Sequence, residues 1–388
     1  MIDFLPFFVV LFAGLFLSEL FFRFHFPWVI TLLIGGMVIG PHGFGVLETN
    51  STIEFLSQIG LVFLMFLAGL ETNLLKHGQN KHFRDILPIA FLNGAIPFIV
   101  GFLISYLFGY GIETSLLIGI IFISSSLAVI VPTLETSNLI KTKIGQMIIA
   151  SSVIVDIASL ILLSVFLQSQ IPGGLHPLIF YPLLAGLLVV ARYMMPKIIW
   201  FFRNEIKNNE KDIFQQELRA IFVLLIGTVI AFELMGLHPI ISGFFAGMVL
   251  SDSITSNILK GKIRGIGYGI FVPTFFIVIG TQTDFTLFFT TENIIFLTVA
   301  LIISSIASKF ISGYVGARIS KLSNKQSLIV GSATIPQLST TLAVAASGLA
   351  LGIIDQALFV AIIALSVLTV LIGPILVKIF ASSYLTQK

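Results

Sequence analysis

Ser151-Ser152-Val153-Ile154-Val155-Asp156-Ile157-Ala158-Ser159 sets one carboxylate in the middle of an apolar run from about Lys143 to Gln168. As a helix, a run of that length crosses the roughly 30 Å hydrocarbon core of a bilayer. A charge at that depth costs roughly 3 kcal/mol or more, so it faces a water-filled path or a partner and is a functional candidate by default. The partner that suggests itself is Lys309, in Ile303-Ser304-Ser305-Ile306-Ala307-Ser308-Lys309-Phe310. It is the one basic residue that the topology below leaves inside the membrane.

Composition agrees with a membrane class. Of 388 residues, 57% are hydrophobic and 10% charged, against roughly 25% charged in soluble domains. Mean hydropathy is +1.07. There are no cysteines, so disulfides, thiolate metal sites and cysteine nucleophiles are excluded. The six histidines show no metal-ligand spacing. Gly265-Ile266-Gly267-Tyr268-Gly269 lacks the spacing of a dinucleotide fingerprint, and no cofactor or nucleic-acid partner is expected.

The N-terminus lacks the basic start of a cleaved signal peptide and reads as a first spanning helix. Cutting the apolar runs at polar and glycine/proline interruptions gives about 13 segments: 4-22, 27-46, 54-75, 85-109, 113-134, 143-168, 176-200, 213-235, 237-251, 265-282, 291-317, 326-351 and 355-380. The positive-inside rule tests this cut independently. Of the 21 basic residues, all but Lys309 follow odd-numbered segments, whereas the loops after even-numbered ones hold Glu48, Glu54, Glu113, Asp284, Glu292 and Asp355. The expected fold is an all-α polytopic membrane protein with its N-terminus outside and its C-terminus cytoplasmic.

The longest polar stretch, from Arg203 to Asp212, follows segment seven and divides the chain into two sets of six segments. A shift of seven segments is odd, so related halves would be inverted-topology repeats, about 1-170 and 212-382, joined by a linker helix at about 176-200. Internal sequence similarity alone does not establish the repeat. Matching irregularities point to it: Ser124-Ser125-Ser126 and Pro132 in segment five, and Pro336-Gln337 followed by Ser339-Thr340-Thr341 in segment twelve. Inverted repeats with discontinuous helices are a mark of secondary transporters.

Several stretches resemble the monovalent cation/proton antiporter family, particularly its branch of bacterial sodium/proton antiporters and potassium efflux proteins. They are Phe26-Pro27 through Gly40-Pro41-His42-Gly43, Ile59 through Leu70-Glu71, the serine-rich segment five, the Asp156 helix, Phe232 through Pro239, and Phe271 through Gly280. The resemblance covers nearly the whole chain in order. It implies a homodimer whose protomers each hold a mobile core with two crossed, broken helices, here segments five and twelve. It also matches Asp156 to the family's ion-binding aspartate and Lys309 to the basic residue near it. One carboxylate would bind a proton or a metal cation, Na+, Li+ or K+, but not both. Ser125 and Ser126 are assigned to the cation shell, and Ser124, Gln337, Ser339 and Thr340 to the polar crossing.

Two departures matter. Val155 stands where relatives carry an acid, Asn or Gln, which fits one-for-one exchange, while the lysine shared with electrogenic relatives leaves stoichiometry open. Gln337 and Leu338 stand where many relatives carry Arg and Glu. The expected function is proton exchange for Na+ or Li+ across the plasma membrane, with potassium/proton exchange and a gated cation channel as alternatives. Potassium efflux relatives commonly add a regulatory domain, and none is expected after Lys388. Blander readings stand beside these: Lys309 snorkelling toward Arg318, Glu71 as interfacial, and the serines as packing residues.

Overall fold

A computed structural model of the chain describes residues 4–22, 28–71, 83–169, 215–235, 237–251, 254, 256–287 and 293–385, with scattered positions between 182 and 197. Among the described residues there is no strand. The helices in order are α1 (Phe4–Phe22), α2 (Trp28–Ile39), α3 (Ser51–Glu71), α4 (Phe83–Leu107), α5 (Ile112–Ile123), α6 (Leu127–Thr136) and α7 (Lys143–Ser169). The second half holds α8 (Gln216–Glu233), α9 (Pro239–Leu250), α10 (Asn257–Ile266), α11 (Val272–Thr281), α12 (Ile294–Ile319), α13 (Asn324–Ala333), α14 (Ser339–Ala350) and α15 (Gln356–Leu385). Segment seven, the linker helix expected at 176-200, lies mostly outside the described residues, as does the polar stretch after it.

Seven helical stretches among the described residues are long and apolar enough to cross a membrane, and shorter apolar helices lie before and between them. Their ends follow local chemistry. Asn50 Oδ1 accepts from Ile53 N at 2.9 Å and opens α3. Ser323 and Gln326 form a reciprocal capping box on α13. Two expected spans differ. Segment 27-46 contributes only the 12-residue α2, about 18 Å long, because Gly40-Pro41-His42-Gly43 folds the chain into turns. Segment 265-282 begins earlier: Ser256 caps α10, whose basic face runs through a π-helical turn at Gly267–Phe271 into α11.

The helix pairings repeat across the two halves. α3 packs on α9 as α2 packs on α11, α4 on α5 as α12 on α13, and α4 on α7 as α12 on α15, while α4 and α12 pack on each other. The glycines at the crossings are related in the same way. A methyl group on Gly69 would lie 2.9 Å from Gly247 Cα, and one on Gly36 2.9 Å from Gly280 Cα, so only glycine admits this backbone approach. Gly36 and Gly69 stand the same interval from Gly247 and Gly280. Likewise Gly119 meets the backbone of Phe98, and Gly331 that of Phe310, one repeat later. These are inverted repeats of six segments each.

The helix ends sort into two faces. On the basic face Lys143 pairs with Asp85 at 3.1 Å, and Lys262 donates to Gln215 at 2.6 Å. On the acidic face His42 lies 3.6 Å from Asp284, and Thr114 Oγ1 donates to Ile353 O at 2.7 Å. In the loop before α5, burial and the Asp355 carboxylate push the Tyr110 phenol up to about 12.

Candidate ion-binding site

Two spans are interrupted in mid-membrane, and the interruptions meet. Between α5 and α6 the chain is extended at Ser124 and Ser126, where three successive hydroxyls compete with the helical backbone for hydrogen bonds. Pro132 lies further on, inside α6. Between α13 and α14 the break runs through Ile335-Pro336-Gln337-Leu338, where proline removes a donor and holds its predecessor away from helical geometry. The breaks are tied to each other by a bond between the Ser124 and Thr341 hydroxyls and by Gln337 Nε2, which donates to Phe122 O at 2.8 Å.

Each half-helix end in the first break meets a charge of the right sign. The carbonyl end of α5 carries partial negative charge, and the Lys309 ammonium donates to Ile123 O there. The amide end of α6 carries partial positive charge, and Asp156 Oδ1 accepts from Ser125 N at 2.8 Å. Lys309 is wholly buried and also reaches Ser125 Oγ at 3.5 Å. Asp156 and Lys309 therefore meet through Ser125, which presents its amide to one and its hydroxyl to the other. The second Asp156 oxygen has no hydrogen-bond donor among the described residues.

Asp156 lines a chamber of about 30 Å³ with Ser125, Ser339, Thr340, Tyr268 and Glu71. That is room for about one water or small cation. The chamber shares Glu71, Leu127, Ala128 and Tyr268 with a cavity of about 590 Å³ that reaches Lys260 and Arg264 on the basic face. A cavity of about 410 Å³ on the acidic face, walled by Glu54, Ser57, His238 and Gln282, shares no residue with the chamber. Asp156 thus communicates with the basic face.

Of the residues singled out in the sequence, Asp156, Ser125, Ser339 and Thr340 are brought into the chamber wall. Ser124, Ser126, Gln337 and Lys309 lie buried behind it, and Ser126 Oγ has no hydrogen-bond partner. Lys309 is not snorkelling. Glu71, read as interfacial, forms the neck between chamber and cavity, with its side chain 25% exposed and its Oε1 3.8 Å from Arg264 Nη2. Tyr268 was missed, and so was Thr369. Thr369 Oγ1 accepts from Gln337 N at 3.3 Å in the second break, as Asp156 accepts from Ser125 N in the first. The signal for the repeat was present: Gly36-Met37-Val38 recurs as Gly247-Met248-Val249, and Gly69-Leu70-Glu71-Thr72 is echoed by Gly280-Thr281-Gln282-Thr283. No cluster of three or more His, Cys or carboxylate side chains suited to a metal occurs among the described residues.

The family model described as "Sodium/hydrogen exchanger, transmembrane" matches residues 7–382. The chain is 34% identical over 379 residues to a protein named probable Na(+)/H(+) antiporter 3 of Methanocaldococcus jannaschii, covering 96% of this chain and 95% of the relative. It is 30% identical to a Na(+)/H(+) antiporter of Enterococcus hirae, covering 92% of each. In fold it is similar to the sodium proton antiporter MjNhaP1 of M. jannaschii at pH 8, with a TM-score of 0.68 at 17% identity over 96% of both chains. The chain belongs to the transmembrane sodium/hydrogen exchanger family.

Proposed function

We infer that the protein exchanges protons for Na+ or Li+ across the plasma membrane by loading Asp156 alternately from the two sides. The observation that carries this reading is the Asp156 carboxylate in mid-span, with one oxygen held by Ser125 N and the other open to a chamber reached from one face. The relatives named as sodium/proton antiporters support the choice of ions.

Chemically, the site is a competition. The free oxygen of Asp156 takes a proton or a cation, and hard oxygen ligands suit sodium and lithium. The Ser125 hydroxyl joins the cation shell, with Ser339 and Thr340 offering oxygens across the chamber, while Ser126, expected in that shell, backs the wall from behind. Lys309 holds the compensating charge and fixes the α5 end, so that arrival of a cation expels the proton without leaving the break unpaired. Gln337 and the Ser124–Thr341 bond keep the two breaks together through the cycle.

The basic face is assigned to the cytoplasm, which puts the N-terminus outside and the C-terminus inside. In this arrangement Asp156 opens inward. Movement of a core that includes α5–α7 and α13–α15 closes the Glu71–Tyr268 neck and opens the chamber toward the Glu54–Gln282 cavity. The repeats, about 1-170 and 212-382, are joined by the segment at about 176-200, and two copies pair as a homodimer.

The test is proton flux in proteoliposomes with an imposed pH gradient, challenged separately with sodium, lithium and potassium, for wild type and Asp156→Asn. Dissipation triggered by sodium or lithium and lost in the variant is expected. Potassium as the most effective ion would transfer the reading to potassium/proton exchange. Sodium current without proton counterflow would replace it with a channel.

A further inference from the structure

The inverted repeat relates part of the wall of one vestibule to part of the wall of the other. The interval that carries Gly36 to Gly247 and Gly69 to Gly280 also carries Trp28 to Pro239, Ser57 to Tyr268 and Glu71 to Gln282. Trp28, Tyr268 and Glu71 wall the basic-face cavity, and Pro239, Ser57 and Gln282 wall the acidic-face cavity. The shapes are related, but the charge is not. At the neck of one vestibule stands a carboxylate, and at the same place in the other an amide.

Glu71 is the polar group common to the chamber and the basic-face cavity, together with the Tyr268 phenol. Any cation passing between Lys260 or Arg264 and Asp156 passes it. Its ion pair with Arg264, at 3.8 Å and with the guanidinium 58% exposed, is too long for a hydrogen bond and weak enough to be exchanged for a passing cation. The acid in the wall of the other vestibule, Glu54, is exposed and lies outside the chamber lining.

We propose that Glu71 is a second, transient binding carboxylate for the transported monovalent cation, and that Gln282 in the twin position makes the exchanger sided. The cation is captured at lower concentration from the basic face than from the acidic face. This rests on the sodium/proton exchange reading above. A unit negative charge about 5 Å from a cation in a water-filled neck raises its local occupancy about fourfold, and more where the dielectric is lower. Arg264 opposes that field from the rim.

The experiment measures the half-saturating sodium concentration for proton exchange at each face, in inside-out and right-side-out vesicles, for wild type, Glu71→Gln, Glu71→Asp, Gln282→Glu and Glu71→Gln/Gln282→Glu. Glu71→Gln is expected to raise the basic-face value about fourfold and leave the acidic-face value unchanged. Glu71→Asp stays near wild type, Gln282→Glu lowers the acidic-face value, and the double variant reverses the asymmetry. The wild-type asymmetry also shrinks in high choline chloride, which screens the charge. Equal shifts at both faces, no shift at either, or a well-folded Glu71→Gln protein that exchanges from neither face would overturn the proposal while leaving exchange intact in wild type. Where Glu71→Gln does not fold, Gln282→Glu decides alone, and an unchanged acidic-face value overturns the proposal. Wild type that moves no protons in response to sodium at either face would instead refute the exchange reading, and the sidedness with it.

Discussion

Replacing Gly69 by alanine tests the repeat at the α3/α9 crossing. The added carbon would stand 2.8 Å from Met248 N and 2.9 Å from Gly247 Cα, and closer still to the Phe244 carbonyl oxygen. All three are backbone atoms, so no rotamer change relieves the contact and α3 and α9 must part by about 1 Å. A gap of that size forfeits about a quarter to a half of each pair's attraction along the seam. Overpacking of this kind typically costs about 1–3 kcal/mol. The control is Gly227→Ala in α8, where an added carbon meets nothing and the helix gains about 1 kcal/mol in propensity. That propensity gain is common to both helical positions, so the variants should differ by the overpacking cost of about 1–3 kcal/mol, and their melting midpoints in detergent by about 1–4 °C. Fluorescence-detected size exclusion after heating reads that difference. Equal midpoints and equal exchange for the two variants would refute the close backbone approach, and with it the packing that relates α3/α9 to α2/α11.

Lys309→Gln removes the cation from the end of α5 and leaves Ile123 O without its partner, which should lower stability by about 1–3 kcal/mol and exchange by about tenfold; unchanged melting and unchanged turnover would demote Lys309 to a bystander. One proton competing with one cation makes the half-saturating sodium concentration rise about tenfold for each unit fall in pH while the site is protonated at rest; a flat profile in initial-rate flux would exclude direct competition. The cysteine-free chain permits a topology test: Glu48→Cys should react with an impermeant maleimide from outside and Lys262→Cys from inside, and the reverse pattern would invert the assigned orientation.

The spans were legible because an apolar run and a buried charge are one-dimensional signals. Asp156 needed no structure to stand out, and the alternation of Lys and Arg among loops resolved the two faces before any packing was known. The serines of segment five and the proline of segment twelve marked the breaks for the same reason, since hydroxyls and proline disturb the backbone of their own helix. What crosses between helices was not legible. That Gln337 reaches Phe122 O, that Lys309 and Asp156 meet at Ser125, and that Glu71 closes the chamber all depend on which helices touch. The repeat falls between these cases. Gly-Met-Val occurs at Gly36 and again at Gly247, yet a glycine gains meaning only from the backbone facing it, and Gly36 faces Gly280 while Gly247 faces Gly69.

Broken helices in both repeats and a carboxylate in one of them give the site its economy. The inverted architecture provides two equivalent positions, a backbone amide at Ser125 and another at Gln337, and the chain fills one with Asp156 and the other with Thr369. A hydroxyl satisfies the amide without carrying a charge across the membrane. In the proposed cycle Asp156 serves both orientations of a nearly symmetric frame, with Lys309 and the end of α5 as its fixed counterpart.

Mutual exclusion of a proton and a cation at Asp156 is the step on which the proposed exchange turns. Its most direct measurement is proton release from the purified protein in weakly buffered detergent solution, at a pH where the site is protonated, on adding sodium chloride, with choline chloride as the control. Sodium should release about one proton per protomer in wild type, choline none, and Asp156→Asn none with either salt. Sodium binding by wild type without proton release, or release that persists in Asp156→Asn, would contradict the account.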